Sequence, residues 1–199
     1  MRRRTFDALM ASGGLVIALV LFVGGALLLV GFNFANSNVH SQLADQRIFF
    51  PTADNPGLKD PRIGPFIKQY AGQQLVTGAQ AEAYADHYIA VHIADTGKGT
   101  YYAGKTYAEM GALQKAHPTD TTLTDARNTV FKGETLRGLL LQAYAFWKIG
   151  QIALIGAIVA FAVGGVMLVL SLLGFWHARK VPDEVEVLAP RVKAQTVTA

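Results

Sequence analysis

The sequence predicts an all-α membrane protein, with two transmembrane helices and a helical extracytoplasmic domain between them. Three observations carry that reading. Residues 13–32 and 149–176 contain no Asp, Glu, Lys, Arg or His. Basic residues stand just before the first run and just after the second. The chain between the runs carries helix-start signals and apolar residues at helical spacing. Of the 199 residues 51% are apolar and 16% charged, below the ~25% charged that soluble domains carry. There is no cysteine. That excludes a disulfide framework, a thiolate nucleophile and Cys-ligated zinc or iron–sulfur centres.

Each run is long enough to cross a bilayer. A helix rises about 1.5 Å per residue, so twenty residues cover the roughly 30 Å hydrocarbon core. The predicted organisation is a cytoplasmic N-terminus at 1–12, transmembrane helices at 13–34 and 148–176, an extracytoplasmic domain at 35–147 and a cytoplasmic tail at 177–199. Arg2, Arg3 and Arg4 precede the first span, and Arg179 with Lys180 follows the second. Short basic flanks stay on the cytoplasmic side, which sets this orientation in the plasma membrane. Tyr144 and Trp147 before the second span, and Trp176 at its end, have the composition of interfacial anchors. Trp147 and Trp176 are separated by roughly 43 Å of helix, the thickness of a bilayer with its interfaces.

Arg3-Arg4-Thr5-Phe6 before an apolar run also has the look of a twin-arginine signal. The run is longer than the ~7–15 residues of a signal-peptide core and no A-x-A site follows it, so an uncleaved anchor is expected.

The segment between the spans holds 11 Lys/Arg and 10 Asp/Glu over residues 35–148. It is nearly neutral, so the net charge of +4 lies mainly in the flanks and no nucleic-acid partner is expected. Val39 and Leu43, four apart, extend the first helix beyond its span until Pro51 stops it. Pro51, Pro56, Pro61 and Pro65 then predict an extended, semi-rigid loop. Pro65 opens a short helix through Phe66, Ile67 and Tyr70. Thr77 with Gln80, and Thr106 with Glu109, have the spacing of capping boxes. The Gly-rich stretch 96–105 between them leaves room only for a turn or a short hairpin. From Thr124 the apolar stripe Leu136, Leu140, Tyr144 runs into the second span with no proline before Pro182, predicting one long helix. Gly133 and Gly138 are its expected weak points. The tail from Val181 is expected to be disordered or ordered by a partner.

Chemistry-bearing residues are few. Asp86, His87 and His92 are the weak candidates for a metal site. Ligands on one helix face need a spacing of three or four, as in His-x-x-x-His. His87 and His92 are five apart, about 140° around a helix, which favours packing over ligation. His40 and His117 stand at segment edges. Gly99 to Thr106 fits the P-loop letters G-x-x-x-x-G-K-[ST], but no buried strand precedes it. No catalytic residue and no cofactor are expected. Neither uncharged run carries the ionisable residues that mark an ion path. Small residues are plentiful there: Gly156, Ala160 and Gly164 lie four apart, and Gly24-Gly25 and Gly165 offer mating faces for close helix packing.

The strings YADHYIAVH, GKTYAE and GETLRGLLLQAYAFW, with HSQLADQRIFFP before them, resemble an uncharacterised family of two-span actinobacterial membrane proteins. The likeness covers roughly residues 13–176. Members often carry the label of an aromatic ring-opening dioxygenase subunit. Such iron chemistry requires two His and one carboxylate around open positions, which the spacing at 86–92 does not supply. The resemblance therefore implies a source and a two-span topology, without an activity. The expected role is non-enzymatic: an accessory or assembly subunit of a larger envelope or respiratory membrane complex, or a homo-oligomer. The alternative is an extracytoplasmic ligand-binding or sensor protein for a lipid, a metal or pH. The expected partners are the lipid bilayer and other membrane subunits or a second copy.

Overall fold

The computed structural model describes residues 2–182 together with Val185 and Val187. The rest of the tail, expected above to be disordered, lies outside the described residues. The chain is all-helical, and among the described residues there is no strand. The helices are α1 (Arg3–Asp45), α2 (Gly64–Ile67), α3 (Gly78–Tyr84), α4 (Ala90–Ala94), α5 (Tyr107–Ala116) and α6 (Thr121–Lys180). A π-helical turn, Ala85–Ile89, joins α3 to α4, and 3₁₀ turns occupy Pro56–Lys59 and Lys68–Tyr70. Helices α1 and α6 have 43 and 60 residues, both long and apolar enough to cross a membrane.

Residues up to Val30 and from Ala153 onward form one unit, and Gly31–Ile152 form the other. In the first unit α1 and α6 lie antiparallel, because Ala11 meets Gly174, Gly14 meets Ser171, Leu21 meets Gly164 and Leu28 meets Gly156. The buried positions are Ala11, Ala18 and Gly25 on α1, and Ala157, Gly164, Ser171 and Ala178 on α6. On each helix they recur every seven residues. That is a period of 3.5, so the row keeps facing its partner when two helices wind left-handed about each other. Small side chains let the backbones approach closely along it. The Ser171 hydroxyl is satisfied within its own helix, donating to the Met167 carbonyl at 2.7 Å. The large apolar side chains point away from the seam; Leu19, Val20, Val166 and Leu172 are all exposed.

The second unit is built the other way round. Val39 and Leu43 of α1, Phe50, Ile63, Ile67 and Leu75 of the connection, Ala81, Ala85 and Ile89, and Leu140 of α6 form its main core. Tyr102, Met110, Leu123 and Val130 form a second. Local side-chain chemistry sets the helix ends. The Thr77–Gln80 and Thr106–Glu109 capping boxes both close. The buried Gln80 is fully engaged, accepting from the Val76 and Thr77 amides at 2.8 and 3.0 Å and donating to Gln73. Asp120, just before α6, accepts from the Leu123 amide, the Thr122 hydroxyl and the Tyr101 hydroxyl. Those donors, the amide first, hold its carboxyl at about 2.

Several expectations change. Helix α1 ends at Asp45, well before Pro51. Arg47 turns the chain with a left-handed φ of 52°, and the Ala44 carbonyl at the helix end accepts from the Arg47 amide at 3.1 Å and from Gln74 at 2.7 Å. The proline-rich loop includes a 3₁₀ turn, capped by Asn55. The Gly-rich stretch forms turns and no hairpin, because Gly97, Gly99 and Gly104 take φ of 74°, 83° and 68° and break any extended run. Gly133 is a packing seat as well: a Cβ there would lie 2.7 Å from Ile93 Cγ1.

Candidate functional site

The densest chemistry of the sequence falls on the π turn. One extra residue is accommodated in that turn, and the Ala90 amide reaches back to the Ala85 carbonyl. Such turns recur at functional sites. His87 lies flat on Phe66, the ring centroids 3.5 Å apart and the planes 3° from parallel. The Nδ1 of His92 sits 2.7 Å from the Tyr88 carbonyl, with its ring against the Tyr88 ring. Asp86 accepts from Arg137 Nη2 at 2.9 Å. The three candidate ligands thus have three different partners. Burial, with Tyr88 adding to it, raises Tyr84 to about 12, so its phenol stays protonated and offers no base.

His117 packs at a tilt against Tyr101, and His40 is exposed on α1. Among the described residues no group of three His, Cys, Asp or Glu side chains could hold a metal ion. The P-loop letters are used for capping. Thr106 accepts from the Glu109 amide, its own amide and hydroxyl bond the Glu109 carboxylate, and Lys105 stands 3.6 Å from the same carboxylate. Helix α4 precedes that loop where a strand would be needed.

The second unit holds several clefts, of which two are the larger. One, of about 590 Å³, lies beside α4, α5 and α6 and contains Lys105, Tyr107, Glu134 and Arg137. Its cations are already matched: Arg137 by Asp86 and Glu134, Lys105 by Glu109. The other is a groove of about 490 Å³ between residues 38–46, at the end of α1 and just past it, and 139–149 of α6. Asn38, Gln42 and Gln46 are spaced four apart along the α1 side; Leu139, Phe146 and Ile149 line the α6 side together with Gln142. No lining residue is ionisable. A separate surface clasp joins Arg62 to Asp60 and Asp95, each at 2.7 Å from Nη2. Arg62 hydrogen bonds hold Asp60 at about 2, and both carboxylates below their usual range.

The small residues singled out in the sequence take different places. Gly25 packs on the Phe161 ring, Gly156 on Leu28 and Gly164 on Leu21. Gly156 and Ala160 flank the central row at half-buried positions. Gly24 and Gly165 have open space where a Cβ would stand. The seven-residue row through Ala157, Ser171 and Ala178 was missed, although its small residues are visible in the sequence. Of the aromatic anchors, Trp147 packs against Gly78 with Tyr144 beside it, while Trp176 is 59% exposed with Lys180 over its ring at 3.7 Å. No protein-family model, no curated protein and no solved structure matches the chain.

Proposed function

We propose that the chain is a two-span plasma-membrane protein, both termini cytoplasmic, with residues 35–147 outside, and that it acts without catalysis as an accessory or assembly subunit. The partner would be a larger envelope or respiratory membrane complex, or further copies of the chain. The resemblance to two-span actinobacterial proteins supports the same topology. The observation that carries the membrane reading is the exposed apolar surface of the two long helices. Only 11% of the most apolar 18-residue stretch of each is buried within the chain. Exposed apolar area of that extent needs lipid or another apolar helix to cover it. The small-residue row is engaged between α1 and α6, so a partner would meet the large side chains or the second unit.

Native mass spectrometry after gentle extraction from the source membrane tests the subunit reading. A heteromeric or homo-oligomeric mass is expected. A bare monomer would contradict it. The ligand-binding reading is kept as the second one because of the amide-lined groove.

A further inference from the structure

We propose that the groove between residues 38–46 and 139–149 binds the headgroup of an isoprenoid quinone whose tail lies in the bilayer. This inference rests on the membrane reading above. The groove is of small-molecule size, above the roughly 300 Å³ at which such sites begin. Its floor is Val39 and Leu43, both buried in the main core. Its walls differ in chemistry. Asn38, Gln42 and Gln46 put amides along one side, and Leu139, Phe146 and Ile149 put apolar surface along the other, where Gln142 adds one further amide. Gln42 Nε2 donates to Asn38 Oδ1 at 2.9 Å, which leaves the second Gln42 N–H and the Asn38 amino group as donors.

The walls define the occupant. A phosphate headgroup finds no cation among the lining residues. A sugar would leave hydroxyls against Leu139 and Phe146. A flat ring with apolar faces and carbonyl oxygens at its edge satisfies both walls, stacking on the apolar side and accepting from amide N–H groups on the other. The groove also touches the start of the lipid-facing surface. Ile149 is a lining residue that opens the second uncharged run, and Phe34, at the end of the first predicted span, stands edge-on to Phe146 with centroids 6.4 Å apart. On the topology proposed above, a tail leaving past Ile149 would enter the bilayer.

The full chain carrying Trp176→Phe is placed in phosphatidylcholine nanodiscs, and Trp147 fluorescence is followed while a prenylated naphthoquinone is added. Insertion into the discs is measured first. Saturable quenching is expected. Its half-saturation should rise about tenfold in Gln42→Leu/Gln142→Leu, and Ala145→Phe, which fills the groove from an exposed position, should abolish it. Equal helicity of all variants by circular dichroism shows that each is folded. A chain that stays out of the discs overturns the membrane reading and this inference together. A chain that inserts but quenches linearly, equally in all variants, overturns the groove alone. Displacement of the quinone by dioleoylglycerol overturns the ring as the recognised group.

Discussion

Between Ala11 and Leu28, the positions that α1 buries against α6 are Ala11, Ala18 and Gly25; between Val39 and Leu43 it buries valine and leucine in a core that includes Leu140 of α6. The same two helices therefore follow opposite rules in the two units. In Gly31–Ile152 large side chains are hidden, with Leu43, Ile67, Leu75, Met110, Leu123 and Leu140 fully buried. In the other unit the hidden positions are small and the large ones face out. Water rewards hiding large apolar groups, and lipid does not. Close backbone approach is then what remains to hold two helices together.

That contrast can be broken by truncation. Leu140→Ala should cost about 2–5 kcal/mol, since a fully buried leucine leaves a cavity. Leu172→Ala, at a position 57% exposed, should leave stability in detergent within about 0.5 kcal/mol of the parent. Thermal unfolding followed by circular dichroism compares the pair, and equal losses would erase the distinction. Enlargement tests the other side. Gly164→Leu forces a side chain against Leu21 and the Ala18 carbonyl and should destabilise by about 1–3 kcal/mol. Gly24→Leu enters open space and should leave the isolated chain unchanged; loss of assembly on this substitution alone would mark that face as a partner contact.

Smaller effects belong to the helix ends of Gly31–Ile152. Thr106→Ala removes the acceptor for the Glu109 amide and should cost about 1 kcal/mol. Acid provides the mildest test. Asp120 titrates at about 2 in the folded chain against 3.8 ordinarily. A depressed carboxyl stabilises fully above its unfolded value, so its contribution should fade as pH drops from about 4 toward 2. Asp120→Asn keeps a capping oxygen and should flatten the dependence of the melting temperature on pH across that window. An unchanged slope would show that the charge at Asp120 does not matter to the fold.

What could be read in the sequence follows the range of the interactions. Thr77 with Gln80 and Thr106 with Glu109 act within one turn, so spacing alone reveals them. The continuity of α6 was visible because nothing between Thr121 and Lys180 interrupts a helix. The π turn was not, since one inserted residue leaves the apolar pattern on either side intact. The helix seam was ambiguous: a run rich in Gly and Ala offers rows at four and at seven, and only the partner helix selects seven. Gly133 looked weak because its occupant, Ile93, is forty residues away. The groove joins amides of α1 to a wall of α6 a hundred residues later, and no local signal could pair them.

The central claim, that residues 35–147 lie across a membrane from both termini, is tested most directly by thiol labelling. The chain has no cysteine, so single sites report cleanly. Asn128→Cys and Thr5→Cys are both at exposed positions. A membrane-impermeant maleimide should label Asn128→Cys in intact cells and Thr5→Cys only after permeabilisation. Labelling of Thr5→Cys in intact cells, or protection of Asn128→Cys there, would contradict the topology.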